Sequence, residues 1–362
     1  MSTTCRDLIR DIRQTHPVTD SLLLRFEECC VEVNTNTPQL LEDLARYFDG
    51  FVTGEGNPDI VITVHQAGPP PLSCIFTVKQ PDPGKIKIKE EYCDLVDGRI
   101  VRKRLTGMVF IFGQGEHLAI GPCLENSNQV INFINNRFIE WNLNQGSFLA
   151  QAAAVMHNGR GLALAGFSGM GKSTLALHLV SRGAIFVSND RLMVARNSRS
   201  LKMVGVAKLP RINPGTALNN PHLSNVIPDD EKEQFAALES EALWNLEHKY
   251  DVFIDESFGP GRFELSGPMD GLVILNWQRN NSPLKVRKIK PAERPDLLPA
   301  FMKATGLFFI PGGAHSQTDP EIEQYIELLS ECAVFEISGG IDFQTAAVAC
   351  LQFLNDGTMP EI

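Results

Sequence analysis

Residues 166–173 read GFSGMGKS and satisfy the spacing G-x-x-x-x-G-K-[ST]. Each fixed position has a chemical reason. Glycines let the main chain curl tightly enough for successive N–H groups to converge on one anion. The lysine adds a positive charge that reaches the β- and γ-phosphates of a nucleotide, and the serine hydroxyl is a hard oxygen donor for Mg²⁺ beside them. The candidate contacts with ATP are Gly166, Phe167, Ser168, Gly169, Met170, Gly171, Lys172, Ser173 and Thr174; Lys172 also acts on the transferred group and Ser173 ligates the metal. At average residue usage the four fixed positions coincide by chance in roughly 1–2% of chains this long. A phosphate-binding loop is therefore the reading carried forward.

A carboxylate stands at a telling distance. The apolar run Ala184-Ile185-Phe186-Val187 leads through Ser188 and Asn189 to Asp190, 18 residues beyond Lys172. A strand–loop–helix–strand unit brings that carboxylate to the loop's own side of the sheet, where it can join the metal shell or accept a hydroxyl proton. The alternative is a turn or helix-capping aspartate. Arg211, in the Pro/Gly-rich stretch KLPRINPGT, is a candidate clamp for charge on a transferred phosphoryl group. Asp255, Glu256 and Arg262 (in DVFIDESFGPGR) read as a surface loop before a substrate loop, and His157, ahead of Asn158-Gly159, reads as a turn histidine.

The elements that position these groups follow from periodicity. Residues 161–165 are a buried strand into the loop, and 174–180 a helix that stops at Gly183. Further strands are expected at 184–188, 271–276, 306–310 and 334–337, with a helix over 343–354. The stretch 229–250 places Phe235, Leu238, Ala242, Leu243 and Leu246 on one helical face. The basic run 285–290 reads as a solvated edge strand. This alternation argues for a sheet covered by helices.

Upstream, amphipathic helices are expected at 6–15 and 38–48, with Thr37 capping and Pro38 in the first turn. Strands follow at 60–64, 74–78 and 85–89; the alternation Lys85-Ile86-Lys87-Ile88-Lys89 would turn its isoleucines to a core. Residues 108–112 and 117–120 read as a hairpin, and 126–137 as a helix. The division is a mostly antiparallel α+β module over 1–145 and a nucleotide-binding domain over 146–362.

Composition bounds the rest. At 362 residues two domains are the default, and 43% hydrophobic with 21% charged content is that of a folded globular protein. A net charge of −10 and a pI near 5.4 disfavour a nucleic-acid partner. No apolar run is long enough for a membrane span and the N-terminus is too polar for a signal peptide, so a cytoplasmic location is expected. The eight scattered cysteines contain no C-x-x-C and read as small apolar residues, not a zinc site or disulfide framework.

The stretch 152–165 running into the loop, the loop's G-x-S-G-x-G-K-S form, and the Lys-to-Asp spacing ending in Asn189-Asp190-Arg191 together resemble the HPr serine kinase/phosphorylase family, most closely its HprK-related kinase B branch. The resemblance covers roughly residues 147–216. It implies a nucleotide-binding domain like that of phosphoenolpyruvate carboxykinase and ATP-dependent phosphorylation of a protein serine, sometimes with the reverse reaction. The family carries Asp-Asp where this chain has Asn189-Asp190, and a histidine where this chain has Gln151. An amide cannot take a proton, so forward transfer resting on Asp190 is the implied chemistry, and phosphorolysis is disfavoured.

The expectation is thus an α/β P-loop domain behind a smaller α+β domain, acting as an ATP- and Mg²⁺-dependent kinase on a hydroxyl of a protein serine or small metabolite. Lys172, Asp190 and Arg211 carry the transfer, and Ser173 and Asp190 hold the metal. The alternative is a nucleotide-binding regulatory module with little or no transferase activity. The sequence leaves a homo-oligomer open.

Overall fold

The computed structural model describes residues 4–81, 86–198, 200–239, 242–243, 246, 248–311 and 319–362. It is a mixed α/β structure with several sheets, in two compact units. One comprises Met1–Asn144 and Thr305–Ser316, the other Gln145–Ala304 and Gln317–Ile362.

The first unit is built on strands β1 (Asp20–Phe26), β2 (Cys29–Thr35), β3 (Ile60–Gln66), β4 (Thr77–Val78), β5 (Glu90–Leu95), β6 (Gly98–Lys103), β7 (Val109–Gly113) and β8 (Glu116–Gly121). They form one sheet in the order β1-β2-β3-β8-β7-β6-β5-β4. Only β2/β3 and β3/β8 are parallel pairs within it. Helix α1 (Cys5–Thr15) is capped by the Thr4 side chain, and its Ile9 and Ile12 pack on Ile100, Val109, Ile111 and Leu118. Helix α2 (Pro38–Tyr47) starts at the expected proline, but the Thr37 hydroxyl donates to Asn36 instead of capping it. The expected hairpin is β7–β8, turned through Gln114 and Gly115 at positive φ. Helix α3 (Ser127–Asn144) runs longer than its apolar pattern suggested.

Two strand expectations fail here. Residues 86–89 form no strand, and Ile86 is 94% exposed; Lys85 lies outside the described residues. The strand expected at 74–78 shrinks to β4, the sheet's edge, with Ile75 exposed. Period-two alternation shows which side chains share a face; it cannot supply the partner strand whose ladder the backbone needs. A third failure is 306–310, which is no strand and belongs to the first unit. Phe308 packs against Phe110, Phe112 and Phe133, while the carbonyls of Leu307 and Phe308 accept from Arg99 and Arg137. Side chains of Arg99, Arg137 and Glu140, not a ladder, satisfy much of that backbone.

His65 on β3 is fully buried, its ring 6.1 Å from that of His16, and neither ring nitrogen has a hydrogen-bond partner among the described residues. Burial, then the charges of His16 and Arg13, push its pKa down from 6.5 to about 4. A depressed histidine keeps its stability contribution above the unfolded value and loses it as pH falls toward the folded one. Urea unfolding is therefore expected to show roughly 2 kcal/mol less stability at pH 5 than at pH 7 from this residue. His65→Leu should flatten that slope; an unchanged slope would contradict the assignment.

The second unit centres on β10 (Ala152–His157), β11 (Arg160–Gly166), β12 (Ile185–Ser188), β18 (Gly271–Gln278), β19 (Lys285–Ile289) and β20 (Ala333–Gly340). The order is β12-β10-β11-β18-β20-β19. Strands β11, β18 and β20 are parallel, and β19 is the antiparallel edge. Both faces are covered, which explains the unbroken apolar runs. On one face Leu162, Leu164, Val273 and Leu275 meet Leu175 and Leu179 of α4 (Lys172–Val180) and Ala346 and Phe353 of α9 (Phe343–Asp356). Each such fully buried leucine contributes roughly 2 kcal/mol. On the other face Ala154, Ala163 and Ile274 meet a second sheet, β17-β14-β13-β9 (Ser266–Pro268, Ser200–Val204, Leu192–Asn197, Phe148–Ala150), and Tyr325 of α8 (Ile322–Leu328).

Strands β15 (Arg211–Ile212) and β16 (Tyr250–Asp251) pair as a short ribbon, between which lie α5 (Pro214–Leu218) and α6 (Asp229–Ala236); α7 is Ile254–Phe258. The helix expected over 229–250 is interrupted: α6 forms its start, Ala242 and Leu243 are helical again, and its far end is β16; 240–241, 244–245 and 247 lie outside the described residues. Among the described residues no helix is long and apolar enough to cross a membrane.

Candidate functional site

Strand β11 delivers the chain to Gly166, and α4 starts at Lys172 after Gly171 in the left-handed region (φ 82°). Two glycines leave little room for a side chain. A Cβ on Gly171 would lie 2.7 Å from the Phe343 ring, and one on Gly166 would lie 3.2 Å from the Cβ atoms of Leu275 and Met170. The turn is pinned from behind: the Met170 amide donates to Phe167 O (3.1 Å), and the Trp277 indole N–H donates to Met170 O (2.9 Å). Trp277 is buried at the end of β18 and meets Phe343 edge-on at 5.1 Å; Phe343 in turn stacks on His178 of α4. Phe167, Ser168 and Gly169 are left exposed at the tip.

The first-turn amides of Lys172, Ser173 and Thr174 are those an α-helix cannot satisfy internally, and they sit at its positive end. Lys172 is buried, and its Nζ donates to Gly166 O (2.6 Å) and Phe167 O (3.4 Å), lying across the curl. Burial lowers its pKa; the Asp190 charge opposes this and the Lys303 charge adds to it. Ser173 is half-buried. The Thr174 hydroxyl is already engaged, 3.1 Å from that of Thr216 on α5.

Asp190 is exposed, just past β12. Because β10 is antiparallel to both β11 and β12, those two strands run the same way, and their carboxyl ends share one edge of the sheet. Within the sheet, β10 lies between them. The Ser188 hydroxyl donates to Arg191 O (2.5 Å), closing the turn that carries Asn189 and Asp190. The buried Oδ1 of Asn189 has no hydrogen-bond partner among the described residues. Gln151 precedes β10 at this same edge, its amide donating to Phe301 O (2.7 Å).

Arg211 on β15 pairs with Asp251 on β16 (3.2 Å), both about half exposed, so it is anchored across the ribbon. Arg262 donates to Gly183 O (2.6 Å) while Asp255 accepts from its amide, which makes that stretch a clasp on the end of α4. His157 Nδ1 lies 3.2 Å from the same Gly183 carbonyl, beside the Asn158-Gly159 turn.

Sequence reasoning missed Trp277, Phe343, Thr216, Lys208 and Lys303. Trp277 had a usable signal: it follows an apolar strand, and ligands of open α/β sheets lie beyond strand carboxyl ends. The others depend on chain segments distant in sequence.

No family model matches the chain, and no curated protein does. Among solved structures, the HPr(Ser) kinase/phosphatase from Coxiella burnetii matches at 12% identity with a TM-score of 0.30, over 56% of this chain and 88% of that one.

Proposed function

We propose that the second unit is an ATP- and Mg²⁺-dependent phosphotransferase acting on a hydroxyl group. The observation that carries this reading is Lys172 lying across a glycine curl at a helix N-terminus, within electrostatic reach of Asp190. The residues fit a magnesium-bound triphosphate. The first-turn amides need an acceptor, which phosphate oxygens supply, and the Lys172 cation lies across the same curl. One hydroxyl and one carboxylate, Ser173 and Asp190, suit an ion that retains water and takes its other ligands from phosphate. That ion supplies charge neutralisation at the phosphates when bound.

The chain's own residues do the rest. Loop amides and Lys172 hold the triphosphate and neutralise charge on the leaving oxygen. Asp190 orients the acceptor hydroxyl and takes its proton as the acceptor oxygen bonds to the γ-phosphorus and the β–γ bridging bond breaks, leaving ADP. Arg211, tied to Asp251, serves as a charge clamp only by exchanging that partner. The acceptor is a protein serine or a small metabolite.

Incubation with γ-labelled ATP, Mg²⁺ and a cell extract is expected to label an acceptor. Nucleotide binding with neither labelled acceptor nor released phosphate would instead favour a nucleotide-binding regulatory module.

A further inference from the structure

The strand beside the loop ends on a polar side chain that has no part in the transfer described above. Strand β18 pairs in parallel with β11, and Gly166, where the loop begins, lies opposite Leu275. Asn276 comes next, one strand spacing across and one residue further along, roughly 6 Å from Gly166. Leu275 and Trp277 on either side of it are buried, whereas Asn276 is exposed. Lys172 Nζ donates to Gly166 O at 2.6 Å, so the asparagine and the ammonium both lie next to the same glycine. Ligands of open α/β sheets sit beyond this carboxyl edge.

The amide is held in one orientation. Asn276 Nδ2 donates to Glu336 Oε1 on β20 (2.7 Å). Glu336 is only 2% exposed, opposite Ile274 on the face that carries Val334. Its Oε2 accepts from Arg287 Nε (2.6 Å) and Arg294 Nη1 (2.9 Å). Burial raises the Glu336 pKa, but the bonds from Asn276 and Arg287 and the two arginine charges outweigh it, holding the carboxyl below its usual range. An ionised carboxylate only accepts, so the amide nitrogen must face it and the amide oxygen must face away. Arg287 and Arg294 already neutralise its charge. What the contact with Asn276 adds is direction: Oδ1, an uncharged acceptor, is presented at the edge where the loop starts.

An acceptor is the wrong partner for phosphate, whose oxygens also accept, and the right one for water. Mg²⁺ gives up its waters reluctantly, and the hydrogens of those it keeps need acceptors. We propose that Asn276 is a positioning residue for the metal: its Oδ1 accepts a hydrogen bond from a water that Mg²⁺ retains, and Glu336 fixes the amide that does so. This rests on the phosphotransferase reading above.

The test is calorimetric titration of a non-hydrolysable ATP analogue into the full chain over a series of Mg²⁺ concentrations, with no acceptor present. Asn276→Leu and Asn276→Ser are each expected to raise the Mg²⁺ concentration for half-maximal tightening about fivefold, the loss of one hydrogen bond. Glu336→Gln, whose amide can donate and so lets Asn276 turn over, should raise it by a smaller factor. Affinity for the analogue in EDTA should stay at the wild-type value in both Asn276 variants, a separation that a merely structural role would not give. An unchanged Mg²⁺ requirement in the Asn276 variants, an equal loss of affinity with Mg²⁺ and in EDTA, or wild-type binding that Mg²⁺ does not tighten overturns the proposal. Failure of the analogue to bind the wild-type chain at any Mg²⁺ concentration overturns the phosphotransferase reading instead.

Discussion

Lys172→Ala is expected to abolish the thermal stabilisation that MgATP gives the wild-type chain. At a hundredfold excess over Kd a ligand adds about 2.7 kcal/mol, which for a unit of this size raises Tm by roughly 5–10 °C. The alanine variant removes the cation lying over Gly166 O and Phe167 O. It leaves the curl itself supported by Trp277, Phe343 and the Met170 turn. The variant should therefore fold and melt close to the wild type without nucleotide, since Lys172 is a desolvated ammonium whose burial opposes its charge. Transfer should fall by about 10²–10³-fold or more, the usual loss when a group stabilising transition-state charge is deleted. A variant that keeps the full nucleotide-dependent shift would remove the phosphate-site assignment altogether.

Asp190→Asn should separate binding from chemistry. The loop amides, Lys172 and Ser173 are untouched while one Mg²⁺ ligand is weakened from carboxylate to amide, so the MgATP-dependent shift is expected to shrink but persist. Phosphoryl transfer should drop by about 10²–10⁴-fold, the range for a positioned general base. The neighbouring residue cannot compensate: Asn189 offers an amide, and its Oδ1 is buried. Measuring kcat and KM for the labelled acceptor against nucleotide Kd distinguishes the roles, because loss of a positioning group moves KM while loss of a base moves kcat. Transfer at the wild-type rate in this variant would leave the carboxylate with no part in the reaction and favour the regulatory reading.

Local chemistry made much of the site legible. A G-x-x-x-x-G-K-S stretch between an apolar run and a helix former has few conformations open to it, because its glycines permit a curl that other residues resist. The same holds for the Asn158-Gly159 turn between β10 and β11, the β7–β8 hairpin and the solvated edge strand β19. Long-range pairing was not legible. Residues 86–89 alternate as a strand should and form none, while 306–310 read as a strand of the nucleotide-binding unit and instead carry Phe308 into an aromatic core of the first unit.

The sequence by itself determined that residues 166–171 curl ahead of a helix starting at Lys172, and that a carboxylate follows one strand later in the chain. Tertiary structure alone decided that β10 would separate those two strands and that Trp277 and Phe343 would brace the loop. Backbone conformation at a glycine turn is set by sterics within a few residues. Strand order instead depends on which distant segments bury their apolar faces together, and periodicity along one chain carries no record of that choice.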